Sequence, residues 1–201
     1  MADILRRFLK KNPTGAPPLR YYNKSIPGVI LIEPDIFKDD RGFFMETYNK
    51  NRYSEMGIEK VFVQDNHSRS QKDIIRGLHY QLVHPQGKLV YVIKGKILDV
   101  AVDIRQGSPT FGRWTGDVLS DQNRQQLYIP EGFAHGFCVL SDMADVIYKC
   151  TEVYHPDDEY GILWSDPGIN ITWPIQDPIL SEKDRRNPPL GDIGREFLPG
   201  Y

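Results

Sequence analysis

Four stretches of the chain gather side chains that can move protons or hold negative charge. IIRGLHYQLVHPQGKLVYV, residues 74–92, carries Arg76, His79, His84 and Lys88. IPEGFAHGF sets His135 beside a glycine at a strand edge, and VIYKCTEVYHPDDE supplies Tyr148, Tyr154 and Glu159. SEKDRR adds Lys183 and Asp184. Imidazole titrates near neutrality, so it suits proton abstraction, whereas phenol is a weak acid and ammonium or guanidinium groups attract anions. Taken singly, each residue also has a plain structural use: a hydrogen-bonded strand His, a packed Tyr, a solvated Lys. Their joint occurrence in a stretch that should close on itself points to a site.

A metal centre is the competing chemistry for histidines in a small β-barrel. The residue two after His79 is Gln81 and the one five after is His84, while Lys88 stands where a carboxylate ligand would be expected. No Asp or Glu lies between residues 74 and 98 to complete a facial triad, and an ammonium beside a divalent cation is repulsive. The expectation is a site without metal.

The elements that must position these groups are strands. IIRGLHYQL, KLVYVIKG, KILDVAVDIR, GRWTGDVLS, QLYIPEGFAHGFCVL and DVIYKCTEVY are apolar runs separated by Gly, Pro, Asp and Asn. In KILDVAVDI, Leu98, Val100, Val102 and Ile104 share one face, and Ile97, Asp99, Ala101 and Asp103 the other. Six such runs predict an antiparallel sandwich or small barrel. Alternation places Tyr148 with Val146, Cys150 and Glu152, opposite Lys149 and Thr151. Arg76 and His79 are three apart, so they share a face only if a bulge intervenes, and Gly77 can supply it.

Upstream, GVILIEPDIF reads as a strand, DDRG as a turn and FFMETY as another strand. NKNRYSEMGI reads as a short helix stopped by Gly57, and VFVQDNHS as a strand running into a polar loop. Residues 1–27 read as an N-terminal arm, in which Ile4, Leu5, Phe8 and Leu9 fit a turn or two of amphipathic helix. Residues 28–201 read as one domain, ending from about Ser165 in a Pro-rich segment with a short helix at SEKDRR and a ragged tail.

Composition bounds the function. Of 201 residues, 25 are Lys or Arg and 27 Asp or Glu, a net charge of −2 that argues against a nucleic-acid or anionic-membrane binder. Seventeen glycines, 15 prolines and 11% aromatics favour turns and short strands over long helices. The two cysteines, Cys138 and Cys150, form no disulfide framework and read as buried thiols. With no apolar run of signal-peptide or membrane-span length, the expected location is the cytoplasm.

The motifs DDRGFFMET, FVQDNHS, RGLHYQ, HPQGKLV, PEGFAHGF, YKCTEVY and LSEKD occur in this order from about Gly28 to Asp184. Together they resemble the dTDP-4-dehydrorhamnose 3,5-epimerase family. The resemblance implies an all-β, cupin-type jelly-roll barrel with short flanking helices, and no metal or organic cofactor. It implies conversion of dTDP-4-dehydro-6-deoxy-α-D-glucose to dTDP-4-dehydro-β-L-rhamnose in dTDP-L-rhamnose synthesis. It assigns His79 as general base with Asp184 as its partner, Tyr148 as proton donor and Lys88 as holder of the C4 oxygen. It assigns Arg41, Glu46, Gln64, Asn66, Arg76, His135, Tyr154, Glu159 and Lys183 to substrate binding, with Tyr154 stacking on thymine. It further implies a homodimer with strand exchange, in which the FFMETY region contributes across the interface. Tyr91 departs from the family, where Arg is common.

The chemistry fits these roles. Protons on C3 and C5 flank a C4 ketone, so removing either leaves charge on the C4 oxygen, and a cation must face it. Inversion requires the new proton to arrive on the other face of the sugar, from a second acid. The linking diphosphate calls for arginine, with Arg41 and Arg76 the candidates. Arg41, Arg76, Lys88 and Lys183 together predict a positive barrel mouth. The alternatives are a 3- or 5-epimerase acting on one carbon, a ketoisomerase, a non-catalytic nucleotide-sugar binding cupin, and a metal-dependent cupin.

Overall fold

The computed structural model describes residues 19–201. Its strands are β1 (Arg20–Asn23), β2 (Ile30–Glu33), β3 (Ile36–Asp39), β4 (Gly42–Met45), β5 (Gln64–Gln71), β6 (Ile75–Gln81) and β7 (Lys88–Lys94). They continue as β8 (Lys96–Asp103), β9 (Trp114–Ser120), β10 (Gln126–Ile129), β11 (Phe133–Val139), β12 (Met143–Cys150) and β13 (Glu159–Gly161). Two short helices flank them, α1 (Lys50–Ser54) and α2 (Glu182–Arg185). Six strands form one antiparallel sheet in the order β1-β2-β10-β7-β12-β5, and five form a second, β13-β6-β11-β8-β9. The hairpin β3–β4 stands apart as a two-stranded sheet. Of the segment expected as an arm, residues 1–18, including the helix expected around Ile4–Leu9, lie outside the described residues, while β1 pairs with β2 along the edge of the larger sheet.

The two sheets face each other over an apolar core that includes Val90, Val92, Ile97, Leu127, Phe133, Phe137 and Val146. Each such side chain removed from water contributes about 1.5–3 kcal/mol. The two faces of β8 are used in an instructive way. Its regular apolar face, with Val100 and Val102, does not fill the space between the sheets. It packs outward against Ile162, Ile169, Leu190 and Leu198 of the C-terminal segment. The other face, with Ile97, Asp99 and Ala101, looks inward. The expected ragged tail is therefore a built layer that keeps the five-stranded sheet out of water on its outer side.

Two further expectations change. The strand expected over VFVQDNHS begins only at Gln64 and runs on through the expected polar loop to Gln71 as β5, which pairs with β12 along its whole length. The run QLYIPEGFAHGFCVL is two strands, β10 and β11, in different sheets. The helices stand as expected: Asn49 caps α1, Gly57 follows it at φ +88°, and Ser181 caps α2 through Asp184 N–H at 3.0 Å.

Candidate active site

The bulge expected at Gly77 is present. On β11, His135 lies opposite His79 and Phe137 opposite Arg76, so Gly136 alone faces two residues of β6, Gly77 and Leu78. Gly77 has φ +108°, and a Cβ there would come within 2.5 Å of the His135 carbonyl oxygen and 2.7 Å of Gly136 Cα. Only glycine lets the two strands approach so closely, and the irregularity turns Arg76 and His79 into the same cavity.

That cavity, about 550 Å³, opens between the sheets. The five-stranded sheet supplies Arg76 and His79 from β6, His135 from β11 and Glu159 from β13; the six-stranded sheet supplies Gln64 and Asn66 from β5, Lys88 from β7 and Tyr148 from β12. Tyr154 lies at the rim, and Lys183 and Asp184 enter from α2. Arg41 and Glu46 are not brought there. Arg41 is exposed and pairs with Asp39 in its own hairpin, and Glu46 binds Arg52 at 2.9 Å and Asn49 at 3.0 Å. The hairpin pairs only with itself, its Phe43 ring lying under Arg124, and neither Arg41 nor the following Glu46 lines the cavity. His84 also stays outside, stacked on His155 with ring centroids 3.9 Å apart.

His79 Nε2 lies 2.6 Å from Asp184 Oδ1. Asp184 is buried, and burial pushes its carboxyl up, but the His79 ring, the Gly77 N–H and the Ser181 side chain hold it below the ordinary range. The other ring nitrogen, Nδ1, faces Glu159 Oε1 at 3.8 Å. Burial likewise pushes Glu159 up, and Lys183, His79 and the Tyr154 hydroxyl together hold it below its usual value. Lys183 is ion-paired to Glu159, and Tyr154 donates to the same carboxylate at 3.0 Å. The expected positive mouth is thus narrower than its four residues. Lys183 is neutralised and Arg41 is elsewhere, leaving Arg76 and Lys88 as its cations.

Arg76 Nε donates to Ser70 Oγ at 2.9 Å. Among the described residues, the Lys88 ammonium has no hydrogen-bond or ion-pair partner, an arrangement that leaves its three donors for a bound anion. Burial pulls its pKa down, with Glu159 and Asp99 acting the other way. Tyr148 stands on the opposite sheet from His79, and burial raises its hydroxyl above 10. Gln64, Asn66 and Cys150 are knitted together, Gln64 Nε2 donating to Asn66 Oδ1 at 2.9 Å and Asn66 Nδ2 to Cys150 Sγ at 3.5 Å. Both cysteines are free and buried.

Three contributors escaped the sequence reading. Ser181 caps the helix that carries Asp184. Ser68 lines the cavity from β5 with its hydroxyl buried and unpartnered. Asp99, on the inward face of β8, bonds to His135 Nε2 at 2.7 Å. The one available signal was a charged residue interrupting an apolar strand run. Among the described residues no cluster of three or more His, Cys, Asp or Glu is arranged to hold a metal ion, and no helix is long and apolar enough to cross a membrane.

Two facing antiparallel sheets with a His–carboxylate pair on one and a Lys and Tyr on the other define a jelly-roll site for proton transfer. Residues 23–192 match the family model for dTDP-4-dehydrorhamnose 3,5-epimerase. The chain is 55% identical over 174 residues to the dTDP-4-dehydrorhamnose 3,5-epimerase of Methanothermobacter thermautotrophicus, covering 85% of this chain and 94% of that one. It superposes on the crystal structure of a Legionella pneumophila dTDP-6-deoxy-D-glucose-3,5-epimerase, in complex with dTDP-4-keto-L-rhamnose, with TM-score 0.89 and 52% identity over 91% of this chain and 98% of that one. ChmJ, a 3'-monoepimerase of Streptomyces bikiniensis solved with dTDP-quinovose, is more distant: TM-score 0.84, 33% identity, 90% and 93% coverage. The chain belongs to the dTDP-4-dehydrorhamnose 3,5-epimerase family, has its cupin-like jelly-roll fold, and is an isomerase of the carbohydrate epimerase class.

Proposed function

We propose that the chain converts dTDP-4-dehydro-6-deoxy-α-D-glucose to dTDP-4-dehydro-β-L-rhamnose by inverting C3 and C5. His79 removes the proton beside the C4 ketone through the ring nitrogen not bonded to Asp184. Asp184 fixes the ring and stabilises the imidazolium as it forms. Lys88 holds the oxygen on which the enolate charge collects, and Tyr148 returns a proton from the other side. Arg76 takes the diphosphate, and Tyr154 the thymine. Gln64, Asn66, His135, Glu159 and Lys183 complete the contacts, and no cofactor enters the scheme. The observation that carries this reading is the placement of base and acid on facing sheets around an unpartnered lysine, since inversion needs opposite faces of one ring.

The test is proton NMR in deuterated water with the 4-dehydro-6-deoxy substrate. Exchange should appear at both C3 and C5, and exchange at one carbon alone would make the chain a monoepimerase. His79→Ala should lower exchange at both carbons by about 1,000-fold while nucleotide affinity changes little. A variant that binds but still exchanges would remove His79 from the base role, and a wild-type chain that binds without exchange would make it a binding cupin.

The same proposal makes the enzyme a homodimer in which the β3–β4 hairpin carries Arg41 and Glu46 to the other subunit's cavity. Phe37, Phe43 and Phe44 on this hairpin are 56%, 54% and 70% exposed, an apolar surface that a second copy would cover. Sedimentation velocity should return twice the chain mass at micromolar concentration. A monomer there would exclude it.

A further inference from the structure

The cavity holds a second histidine–carboxylate pair, and its geometry is unlike that of an ordinary buried contact. His135 is the cross-strand neighbour of His79, and its Nε2 lies 2.7 Å from Asp99 Oδ1. The two imidazoles thus stand side by side on adjacent strands, each with Nε2 turned to its own carboxylate. Asp99 is fully buried. Its second oxygen, Oδ2, is also buried and has no hydrogen-bond partner among the described residues. A carboxylate with so little solvation is expensive to keep, and its replacement by an apolar residue would ordinarily cost less. Burial pushes Asp99 up, with His135 and Lys88 drawing it back and Asp117, its cross-strand neighbour on β9, opposing them.

We propose that Asp99 is a positioning residue for the epimerase reaction: it fixes the His135 ring with its proton on Nε2, so that Nδ1 is the nitrogen presented to the sugar. A carboxylate can only accept, so the nitrogen facing it must donate, and a neutral imidazole then has its lone pair on the other nitrogen. Neither a hydroxyl nor a carboxamide imposes that choice, since each can both donate and accept. The inward placement follows from the fold. Asp99 belongs to the face of β8 opposite the one covered by the C-terminal segment, and reaches across to His135 on the neighbouring strand β11.

This inference rests on the epimerase reading, and its first measurement needs no substrate. Long-range proton–nitrogen NMR of the wild-type protein should show His135 protonated on Nε2 and bare on Nδ1. A proton on Nδ1, as a neutral Asp99 donating to Nε2 would produce, overturns the proposal whatever the activity. Asp99→Ala should leave a mixture of tautomers and lower kcat by about 100-fold, the size of loss that a misaligned group causes, with KM changed by less than about 3-fold. Asp99→Asn, nearly the same shape, should fall between the two in both tautomer purity and kcat. Equal, wild-type-like kcat in the folded variants would reduce Asp99 to a structural contact. If Asp99→Ala does not fold, the order of wild type and Asp99→Asn in spectrum and rate decides the matter. Loss of wild-type turnover with the Nε2 tautomer present would instead count against the epimerase reading.

Discussion

Asp99 and Asp103 lie on the same face of one strand, four residues apart, and both are fully buried. Asp103 is saturated. Arg105 donates to it from its backbone N–H at 3.1 Å and from its guanidinium at 2.9 and 2.8 Å, and Ser108 and Thr110 each add a hydroxyl at 2.6 Å. Burial pushes this carboxyl up, but these donors more than offset it and hold it down to about 2. Asp99 has one bond, to a cavity histidine, and an empty second oxygen. The far end of β8 uses its carboxylate to close a loop, over which Arg105 lies between the rings of Phe133 and Tyr201. The near end leaves its carboxylate under-solvated beside a histidine that lines the cavity. Along β8, the satisfied carboxylate belongs to the scaffold and the under-solvated one lies behind the cavity.

The contrast can be broken from either end. At the cavity end, Lys88→Gln should have the larger effect, a loss of about 100- to 1,000-fold in kcat with nucleotide affinity nearly unchanged. Its melting temperature should not fall, because a buried ammonium without a partner does not stabilise the fold. The wild-type rate should also drop on the alkaline side through a pKa below the ordinary 10.5 of lysine, since only the ammonium can hold the enolate oxygen. A Lys88→Gln protein that turns over normally, or unfolds, would erase the distinction. At the far end, Asp103→Asn should leave the rate constant intact and cost about 2 kcal/mol at pH 7. The sign is that of a depressed carboxyl: its contribution is present above 3.8 and disappears as pH falls towards 2, so the gap between wild type and variant should close over that interval. Denaturant titrations at several pH values read this directly, and a gap independent of pH would show that the ionised form is not what matters.

Much of this architecture was legible in the residues because strand alternation and turn residues are local. The runs of β6, β7, β8, β9 and β12, the helix stops and the bulge at Gly77 all follow from spacing alone. What was not legible depended on partners distant in sequence. The far end of β5, Arg69–Gln71, reads as a loop because the strand is polar throughout, its inner positions Gln64, Asn66 and Ser68 lining a cavity rather than a core. The outward use of the apolar face of β8 could not be seen without the segment that covers it. The motif residues converge on one cavity, apart from Arg41 in the hairpin and Glu46 just after it. Asp99 is not legible as a site residue because its histidine lies 36 positions later, on a neighbouring strand.

The C-terminal layer has one consequence for how the enzyme comes into being. His79 is contributed by a strand in the first half of the chain, and its partner Asp184 stands 105 residues later, on a helix packed against that strand. Because translation runs from the amino end, a nascent chain can emerge with its pocket walls paired and its imidazole in place, yet without the carboxylate behind it. The segment that shields the sheet from water also delivers the carboxylate behind His79, so this pair is completed by the C-terminal layer rather than by the closing of the barrel.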